Sequence, residues 1–172
     1  MTAQEPWPTD DARAAYLLEQ ARQIVDAVRY CWAGTQGDQT PSLRVVEPFQ
    51  SLSEGGWTLG FLTSRSSRKA AELASLPAMA LGFQYDLEFA YVTLLGHGVI
   101  VDDREAVMAH WREAWFQFFP DGPSNLDAIV VTMRVERVEM WNPVRKIAPA
   151  PYGLRAAVLE CDHNQRWTCR AS

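Results

Sequence analysis

Hydrophobic residues recur along the chain at two different spacings. At positions 17–28 they follow the interval of an α-helix, and Thr9 precedes an acidic first turn as its N-cap. A second stripe with this interval, at positions 107–118 behind aspartates at 102 and 103, predicts a long helix that ends before Pro120. Each stripe is one-sided, so we expect each helix to pack one face against a sheet.

Between these helices, short runs alternate apolar and polar positions, as half-buried strands do. A short helix, capped by Ser66 or Ser67 and ended by Pro77, interrupts the series. Gly96 predicts a bend or bulge in one long strand, and a change of phase near Glu136 predicts a kink in the last strand. The predicted strands cover residues 30–35, 43–46, 57–63, 78–83, 89–101 and 129–135, with a turn at 51–56.

The order of elements favours one architecture over the main alternative. Hairpin-like connections dominate, which is typical of an antiparallel sheet curled into a barrel with helices at its ends, and not of a doubly wound parallel sheet. The segment after Pro143 contains further prolines and ends in polar residues, so we interpret it as an arm or tail that could wrap a partner subunit. This interpretation divides the chain into a domain at 1–143 and an arm at 144–172.

Composition and charge limit the partners that the chain can have. A formal charge of −5 and a pI near 5.2 disfavour a general nucleic-acid binder, which needs a basic face. No apolar run approaches the roughly 20 residues that cross a bilayer, and the first ten residues do not resemble an export signal. We therefore expect a cytoplasmic protein that binds neither nucleic acid nor membrane.

The three cysteines do not form a disulfide framework. Cys31 stands alone in a predicted strand, whereas Cys161 and Cys169 lie near the end of the chain. With His163 the last two offer three soft ligands, but structural zinc needs four. The sequence therefore predicts reduced thiols and no metal site, and it leaves the role of Cys161 and Cys169 open.

The strongest local signal for chemistry lies where a predicted strand passes into the short helix. Positions 63–69 carry four hydroxyl side chains and three cations, and the free N–H groups of a helix N-terminus favour a phosphate. The alternative, which spacing alone slightly favours, is a serine cap with solvated cations. Arg44 lies in an extended run, where an inward orientation would require an anionic partner and an outward one would make it an ordinary surface residue.

These segments, in this order, resemble the pyridoxamine 5'-phosphate oxidase-like superfamily of FMN-binding split barrels. The resemblance runs from about residue 12 to residue 141 and is strongest to the general stress protein branch. It implies an α+β fold, mainly β with flanking helices, built on an antiparallel split β-barrel. It also implies an FMN phosphate held by three cations and a flavin ring lined by backbone groups. The implied cofactor-binding residues are Arg44, Val45, Val46, Leu62, Thr63, Ser67, Arg68, Lys69 and Trp141.

The segment from Trp115 to Trp141 is similar to that of stress-type members. Phosphate oxidases proper carry an Arg and a His soon after the residue that corresponds to Trp141, whereas this chain has no such pair at 142–146. Tyr91 stands where those oxidases carry a flavin-contacting Gln. The resemblance therefore disfavours oxidation of pyridoxamine 5'-phosphate as the activity.

The function implied by the resemblance is flavin-dependent redox chemistry. We expect an FMN-dependent oxidoreductase, with FAD as an alternative cofactor, a nicotinamide or small-molecule electron donor, and a homodimer that holds the cofactor at its subunit interface. No residue is an evident acid–base catalyst, and His97 is interpreted as structural or exposed. The alternatives are a non-catalytic flavin-binding or stress-sensing module, and a relative that binds a deazaflavin or haem. Haem would need His97, His110 or His163 as axial ligand.

Overall fold

The computed structural model describes residues 9–51, 57–147 and 156–170 of the chain. Within these ranges it contains three α-helices, α1 (Asp10–Ala27), α2 (Arg68–Ser75) and α3 (Arg104–His110). Short 3-10 turns cover Asp86–Glu88, Glu113–Gln117 and Gly122–Ser124. The strands are β1 (Cys31–Gln36), β2 (Pro41–Val46), β3 (Pro48–Ser51), β4 (Thr58–Ser64), β5 (Ala78–Tyr85), β6 (Ala90–Val101), β7 (Ala128–Trp141), β8 (Ala157–Cys161) and β9 (Trp167–Cys169).

All strand pairings are antiparallel, and the main sheet has the order β2-β1-β5-β6-β7-β4-β3. Strands β2 and β3 therefore lie at opposite ends of this order, although only Glu47 separates them in sequence. Because one residue cannot span an open sheet, the sheet curls until its two ends meet. The predicted fold, an antiparallel split β-barrel that is mainly β with flanking helices, is confirmed.

Strand β7 has two partners on one of its edges. Residues 128–134 pair with β4, and residues 137–140 pair with β8, while β6 runs along the other edge. The register between β6 and β7 shifts at the change of partner, because Leu95 is opposite Arg137 and Gly96 is opposite Val135. Glu136 is the extra residue of a β-bulge, which confirms the predicted irregularities at Gly96 and near Glu136.

Alternating side chains from the strands fill the barrel, and α1 covers part of it. The side chains of Ile24, Phe61, Phe83, Leu94 and Met140 are fully buried there. A second, smaller cluster lies beneath α3 and the segment that follows it. Its members are Phe49, Val107, Phe119, Ala128 and Val130.

Both predicted helix caps are present. The Thr9 hydroxyl accepts a hydrogen bond from the Ala12 amide at 3.1 Å, and Ser67 caps α2 by accepting from the Ala70 amide. Of the two serines proposed for the second cap, the structure therefore selects Ser67. Among the described helices, none is long and apolar enough to cross a bilayer.

The predicted long helix at 102–118 is wrong. Helix α3 ends at His110, Trp111 and Arg112 are extended, and one 3-10 turn follows. Tertiary contacts outweigh the helical spacing here, because Trp111 packs edge-on against Phe116 and Phe119, and Arg112 pairs with Glu47 at 2.7 Å.

Two further segments differ from the sequence-based expectation. Ser51, predicted to begin a turn, belongs to the unpredicted β3, and residues 52–56 lie outside the described part. The predicted arm contributes β8 and β9, of which β8 pairs with β7 and buries Leu159 in the main core. Trp167 of β9 packs near Trp57 with ring centroids 6.4 Å apart. This part of the arm therefore extends the sheet.

The bulge predicts the effect of a substitution at Gly96. A Cβ atom at this position would overlap the backbone carbonyl of Arg134, which cannot move without displacing β7. We expect Gly96→Ala to lower the free energy of unfolding by about 1–3 kcal/mol, measured by urea denaturation. Val99→Ala is the matched control, since its side chain is 58% exposed on the same strand and its loss should change stability by about 0.5 kcal/mol or less. Equal stabilities of wild type and Gly96→Ala would contradict the register of β6 against β7.

Candidate functional site

A cleft of about 480 Å³ opens where β2, the end of β4, the start of α2 and the segment after α3 meet. Its size falls within the range of small-molecule sites. Hydroxyl and ammonium groups line one end, apolar side chains line the walls, and Arg29 and Glu47 line the other end. Six of the nine residues predicted from the sequence border it, namely Val45, Val46, Leu62, Thr63, Ser67 and Lys69.

The ammonium–hydroxyl end is built around Lys69. Its Nζ donates to the Thr63 hydroxyl at 2.8 Å, and the hydroxyls of Thr63 and Ser67 lie 3.4 Å apart. Burial, with a smaller contribution from the nearby Arg44 guanidinium, lowers the pKa of Lys69. An anion placed beside this desolvated ammonium would restore part of the stabilisation that water gives it elsewhere.

Asp127 fixes the turn that brings α2 to the cleft. Its carboxylate accepts from the Ser64 hydroxyl at 2.5 Å and from the Ser66 amide at 3.0 Å. The hydrogen bond from Ser64 is the main reason why the pKa of Asp127 is lowered. Arg65 pairs instead with Asp102 at 2.5 Å, outside the cleft. The turn thus presents the N-terminus of α2, with its positive dipole end, beside Lys69.

The structure places neither Arg44 nor Arg68 in the lining of the cleft, and Arg68 borders a separate cavity together with Glu72. Arg44 is opposite Ala33 in the β1–β2 pair, and its guanidinium lies 2.6 Å from the carboxylate of Glu72 on α2. Its side chain is 16% exposed, so it faces inward and has the anionic partner that such an orientation requires. Arg68 approaches the same carboxylate at 3.4 Å, but its side chain is 71% exposed.

Glu72 is therefore the centre of a partly buried network. It accepts hydrogen bonds from Thr35, from Arg44 and, at 2.8 Å, from Ser42. The hydrogen bond from Thr35 lowers the pKa of Glu72 most, followed by those from Arg44 and Ser42. Together they outweigh burial, which would raise this pKa, and bring it to about 2. The network stays ionised at neutral pH and anchors α2 to β1 and β2.

The other end of the cleft contains a cluster that sequence reasoning missed. The Glu47 carboxylate accepts from Arg29 at 3.0 Å, from Arg112 at 2.7 Å and from the Trp115 indole N–H at 3.3 Å. Burial would raise the pKa of Glu47, but these three donors together hold it below its ordinary value. No local pattern marks Glu47, because its partners come from distant parts of the chain.

Trp141 lies in a second cleft of about 450 Å³. It is opposite Tyr91 in the β6–β7 pair, and the two rings stack with centroids 6.5 Å apart and an angle of 17°. Phe89, which is 78% exposed with a left-handed φ of 51°, borders the same cleft. One chain by itself therefore does not bring Trp141 to the cleft that contains Lys69.

The segment after Trp141 has a structural role. Arg145 pairs with Glu88 at 2.6 Å and also donates to Gln20 and Gln23 of α1 at 2.7 Å each. Buried Asn142 donates to Glu88 as well. This cluster ties α1 to the end of β7.

The remaining candidate groups lie apart from the cleft. Exposed His97 contacts Glu136 of the bulge at 3.0 Å, and His110 stacks on Phe49. Burial raises the pKa of the Cys31 thiol to about 12, so this thiol is not a nucleophile at neutral pH. Within residues 9–51, 57–147 and 156–170, no group of three or more metal-ligating side chains is placed to hold an ion.

Comparison with known families agrees with this arrangement. Residues 17–160, which include the cleft and both long strands, match the family described as pyridoxamine 5'-phosphate oxidase like. The chain belongs to the pyridoxamine 5'-phosphate oxidase-like family. The comparison with curated proteins gave no match.

Solved structures similar to this member of the pyridoxamine 5'-phosphate oxidase-like family share its fold. One is a protein related to general stress protein 26 from Clostridium acetobutylicum, with 20% identity, a TM-score of 0.65, and coverage of 76% of this chain and 91% of that one. A second is general stress protein 26 from Bacillus anthracis, with 16% identity, a TM-score of 0.63, and coverage of 73% and 93%. A third is a pyridoxamine 5'-phosphate oxidase-related, FMN-binding protein from Nostoc punctiforme, with 18% identity, a TM-score of 0.65, and coverage of 99% and 98%.

The Glu72 network predicts a specific dependence of stability on pH. The folded-state pKa of about 2 lies below the ordinary value of 4.5, so the network stabilises the fold fully above about pH 4.5 and loses this effect as the pH falls towards 2. We expect Glu72→Gln to be less stable than wild type by about 1–3 kcal/mol at pH 7, with the difference shrinking below pH 4.5.

Chemical denaturation across this pH range measures the difference. Glu105→Gln is the control, because Glu105 is exposed on α3 and should give a small difference at every pH. A Glu72→Gln penalty that stayed constant down to pH 2 would show that the carboxylate charge does not stabilise the fold.

Proposed function

We propose that this chain binds FMN in the cleft and acts as an FMN-dependent oxidoreductase, with the phosphate beside Lys69. The observation that carries this proposal is the partly buried ammonium of Lys69, bonded to Thr63 and adjacent to Ser67 at the N-terminus of α2. A cation, two hydroxyls and a helix N-terminus form a common phosphate site. Membership of the family and the FMN-binding neighbour from Nostoc punctiforme support the choice of cofactor.

The rest of the cleft fits a flavin. Strand β2 ends the strand order of the described sheet, so alternate backbone groups near Val45 and Val46 point away from β1 and could bond the polar edge of the ring. Trp115 and Phe119, both buried, form an apolar floor, and Phe118 borders the opening. FAD remains the alternative, since its additional nucleotide would extend from the same phosphate position.

The three predicted cations would divide their roles. Lys69 would contact the phosphate directly. Arg68 is exposed, contacts Glu72 at 3.4 Å and lies outside the cleft lining, so it would have to turn from this position to reach the phosphate. Arg44, at 2.6 Å from Glu72, would act by positioning α2.

Bound FMN would supply the redox chemistry, and the described residues supply binding and exclusion of water. The carboxylate that lines the cleft, Glu47, is held ionised by Arg29 and Arg112 and so cannot donate a proton at neutral pH. The electron donor is proposed to be a reduced nicotinamide or another small molecule.

We further propose that the functional unit is a homodimer with the cofactor at its interface. The outer face of the sheet is apolar around Trp32 and Leu43, which are 50% and 66% exposed beside the small residues Gly34 and Gly82. Val45 belongs to both this face and the cleft, and the Tyr91–Trp141 pair lies farther along the same face. Two-fold packing through this face would place the partner's aromatic pair near the cleft.

The phosphate position is tested by FMN binding. We expect wild type to take up FMN and the double variant Arg68→Ala, Lys69→Ala to bind it at least tenfold more weakly, measured by quenching of FMN fluorescence. Arg65→Ala is the matched control, because Arg65 is a neighbouring half-exposed cation that pairs with Asp102 outside the cleft. Unchanged affinity of the double variant would place the phosphate elsewhere, and a wild type that takes up no FMN would refute the proposed function.

Anaerobic addition of NADPH or NADH to the FMN-loaded protein then separates an oxidoreductase from a binding module. Bleaching of the flavin absorbance supports turnover with a nicotinamide donor. Stable flavin binding without bleaching by either nucleotide would favour the non-catalytic module.

The dimer proposal predicts a change of mass on disrupting the outer face. We expect wild type to have twice the chain mass of 19.4 kDa by light scattering, and Trp32→Glu to have the mass of one chain. Leu126→Glu is the control, because Leu126 is 78% exposed away from this face. A monomeric wild type, or a Trp32→Glu variant that remains a dimer, would contradict the proposed interface.

A further inference from the structure

A second cavity, of about 590 Å³, lies against the face of α2 that carries Arg68, Glu72 and Ser75. Its other wall is the β1–β2 hairpin, from the end of β1 to the start of β2. We call it the α2 cavity. It is large enough for a small organic ligand, and it is separate from the cleft because Lys69 lines the cleft and not this cavity.

Arg68 is the cation of the α2 cavity. Successive residues of an α-helix point about 100° apart, which is why Arg68 borders the cavity while Lys69 borders the cleft. The Nε atom of Arg68 lies 3.4 Å from Glu72, and its side chain is 71% exposed. The described residues hold this guanidinium through no other ion pair or hydrogen bond, so its two terminal NH2 groups are available. Such a pair of groups binds a phosphate with two parallel hydrogen bonds.

The charge of Arg68 is not cancelled by the carboxylate beneath it. Glu72 is already compensated by Arg44, whose guanidinium lies 2.6 Å away, and it accepts from Ser42 and Thr35 as well. A phosphate that enters the α2 cavity therefore meets a cation whose contact with protein is long and exposed.

Polar groups on the other parts of the lining are also available to a ligand. The carboxylate of Asp38 and the hydroxyls of Thr40 and Ser75 have no hydrogen bond or ion pair with the described residues. In nucleotide sites, a carboxylate accepts hydrogen bonds from the ribose hydroxyls. Leu76, which is 45% exposed at the end of α2, adds an apolar surface against which a base can pack.

We propose that the α2 cavity binds a nucleoside 5'-phosphate, with Arg68 pairing with the phosphate and Asp38 accepting from the ribose hydroxyls. Two sources supply this chemistry, a free nucleotide and the adenylate half of FAD. With FAD, the first phosphate lies beside Lys69, and the second reaches Arg68 because the Cα atoms of adjacent residues are only about 3.8 Å apart. This second source rests on the proposed flavin site, whereas the cavity itself does not.

Titration of AMP into the protein saturated with FMN tests the phosphate contact, with adenosine as the probe without phosphate. Isothermal titration calorimetry should show AMP binding at least tenfold more tightly than adenosine. Arg68→Gln should weaken AMP binding about tenfold and leave adenosine binding unchanged. Arg65→Gln is the matched control, because Arg65 is a neighbouring half-exposed cation that pairs with Asp102 outside the α2 cavity. An equal loss in both variants would show a general charge effect and would overturn the assignment of Arg68.

A ligand without ribose hydroxyls tests Asp38. Asp38→Ala should weaken AMP binding about fivefold and leave binding of 2',3'-dideoxyadenosine 5'-phosphate unchanged. A loss of equal size for both ligands would show a distorted β1–β2 hairpin and would overturn the role of Asp38.

A tryptophan that fills the α2 cavity separates the two sources. Ala71 and Ala74 are both exposed on α2, but only Ala71 lines the cavity. If FAD is the source, wild type should bind FAD at least tenfold more tightly than FMN, and Ala71→Trp should remove this difference while Ala74→Trp keeps it. If a free nucleotide is the source, FAD and FMN should bind equally, and Ala71→Trp should abolish AMP binding while Ala74→Trp retains it.

Three further results decide the proposal. Wild type that binds AMP no more tightly than adenosine, or Arg68→Gln with unchanged AMP affinity, would overturn it. Displacement of FMN by AMP would place the AMP phosphate beside Lys69 and would overturn it too. Failure of wild type to bind FMN would refute the proposed function, and the same AMP titration of the FMN-free protein would still decide whether the α2 cavity binds a nucleotide.

Discussion

Glu47 lies where the curled sheet closes on itself. It is the single residue between β2 and β3, the two strands at opposite ends of the strand order, and its side chain is only 13% exposed. A charge in this position must be compensated, and the compensating groups come from the segment after α1 and from the segment after α3. Arg112 is extended where it reaches Glu47, α3 stops just before it, and the following turn places Trp115 on the cleft floor.

The second ion network is centred on Glu72 and lies near the part of the cleft that contains Lys69. Glu72 holds Arg44 at 2.6 Å, and of the three cations Arg44, Arg68 and Lys69 it is Lys69 that borders the cleft. The two carboxylates therefore decide where positive charge is presented: at Lys69 on one side and at Arg29 on the other. The chain is acidic as a whole, yet its cleft offers cations to a ligand.

Local features of the fold were predictable from the sequence, whereas long-range pairings were not. The Thr9 cap was predicted correctly, and it depends on a neighbour three residues away. The contacts among Thr63, Ser67 and Lys69 are equally local. The bulge near Glu136 was predicted from the change of phase along its own strand, although it forms against β6. The inward face of Arg44, the break after α3 and the Glu47 cluster depend on partners many residues distant, which spacing does not reveal. The aromatic stripe at 107–118 wrongly predicted one long helix, because its rings pack on one another and on Phe119 without helical geometry.

The bulge at Glu136 divides β7 into two parts that pair with different strands. Before it, β7 pairs with β4, whose end carries Thr63 into the cleft; after it, β7 pairs with β8 of the terminal hairpin. A bulge absorbs a one-residue change of register locally, so an insertion or deletion in the terminal hairpin need not be transmitted to β4. Changes of length in the β8–β9 hairpin can therefore be tolerated while the geometry around Thr63 stays unchanged. Strand β7 is continuous, but its two parts can vary independently.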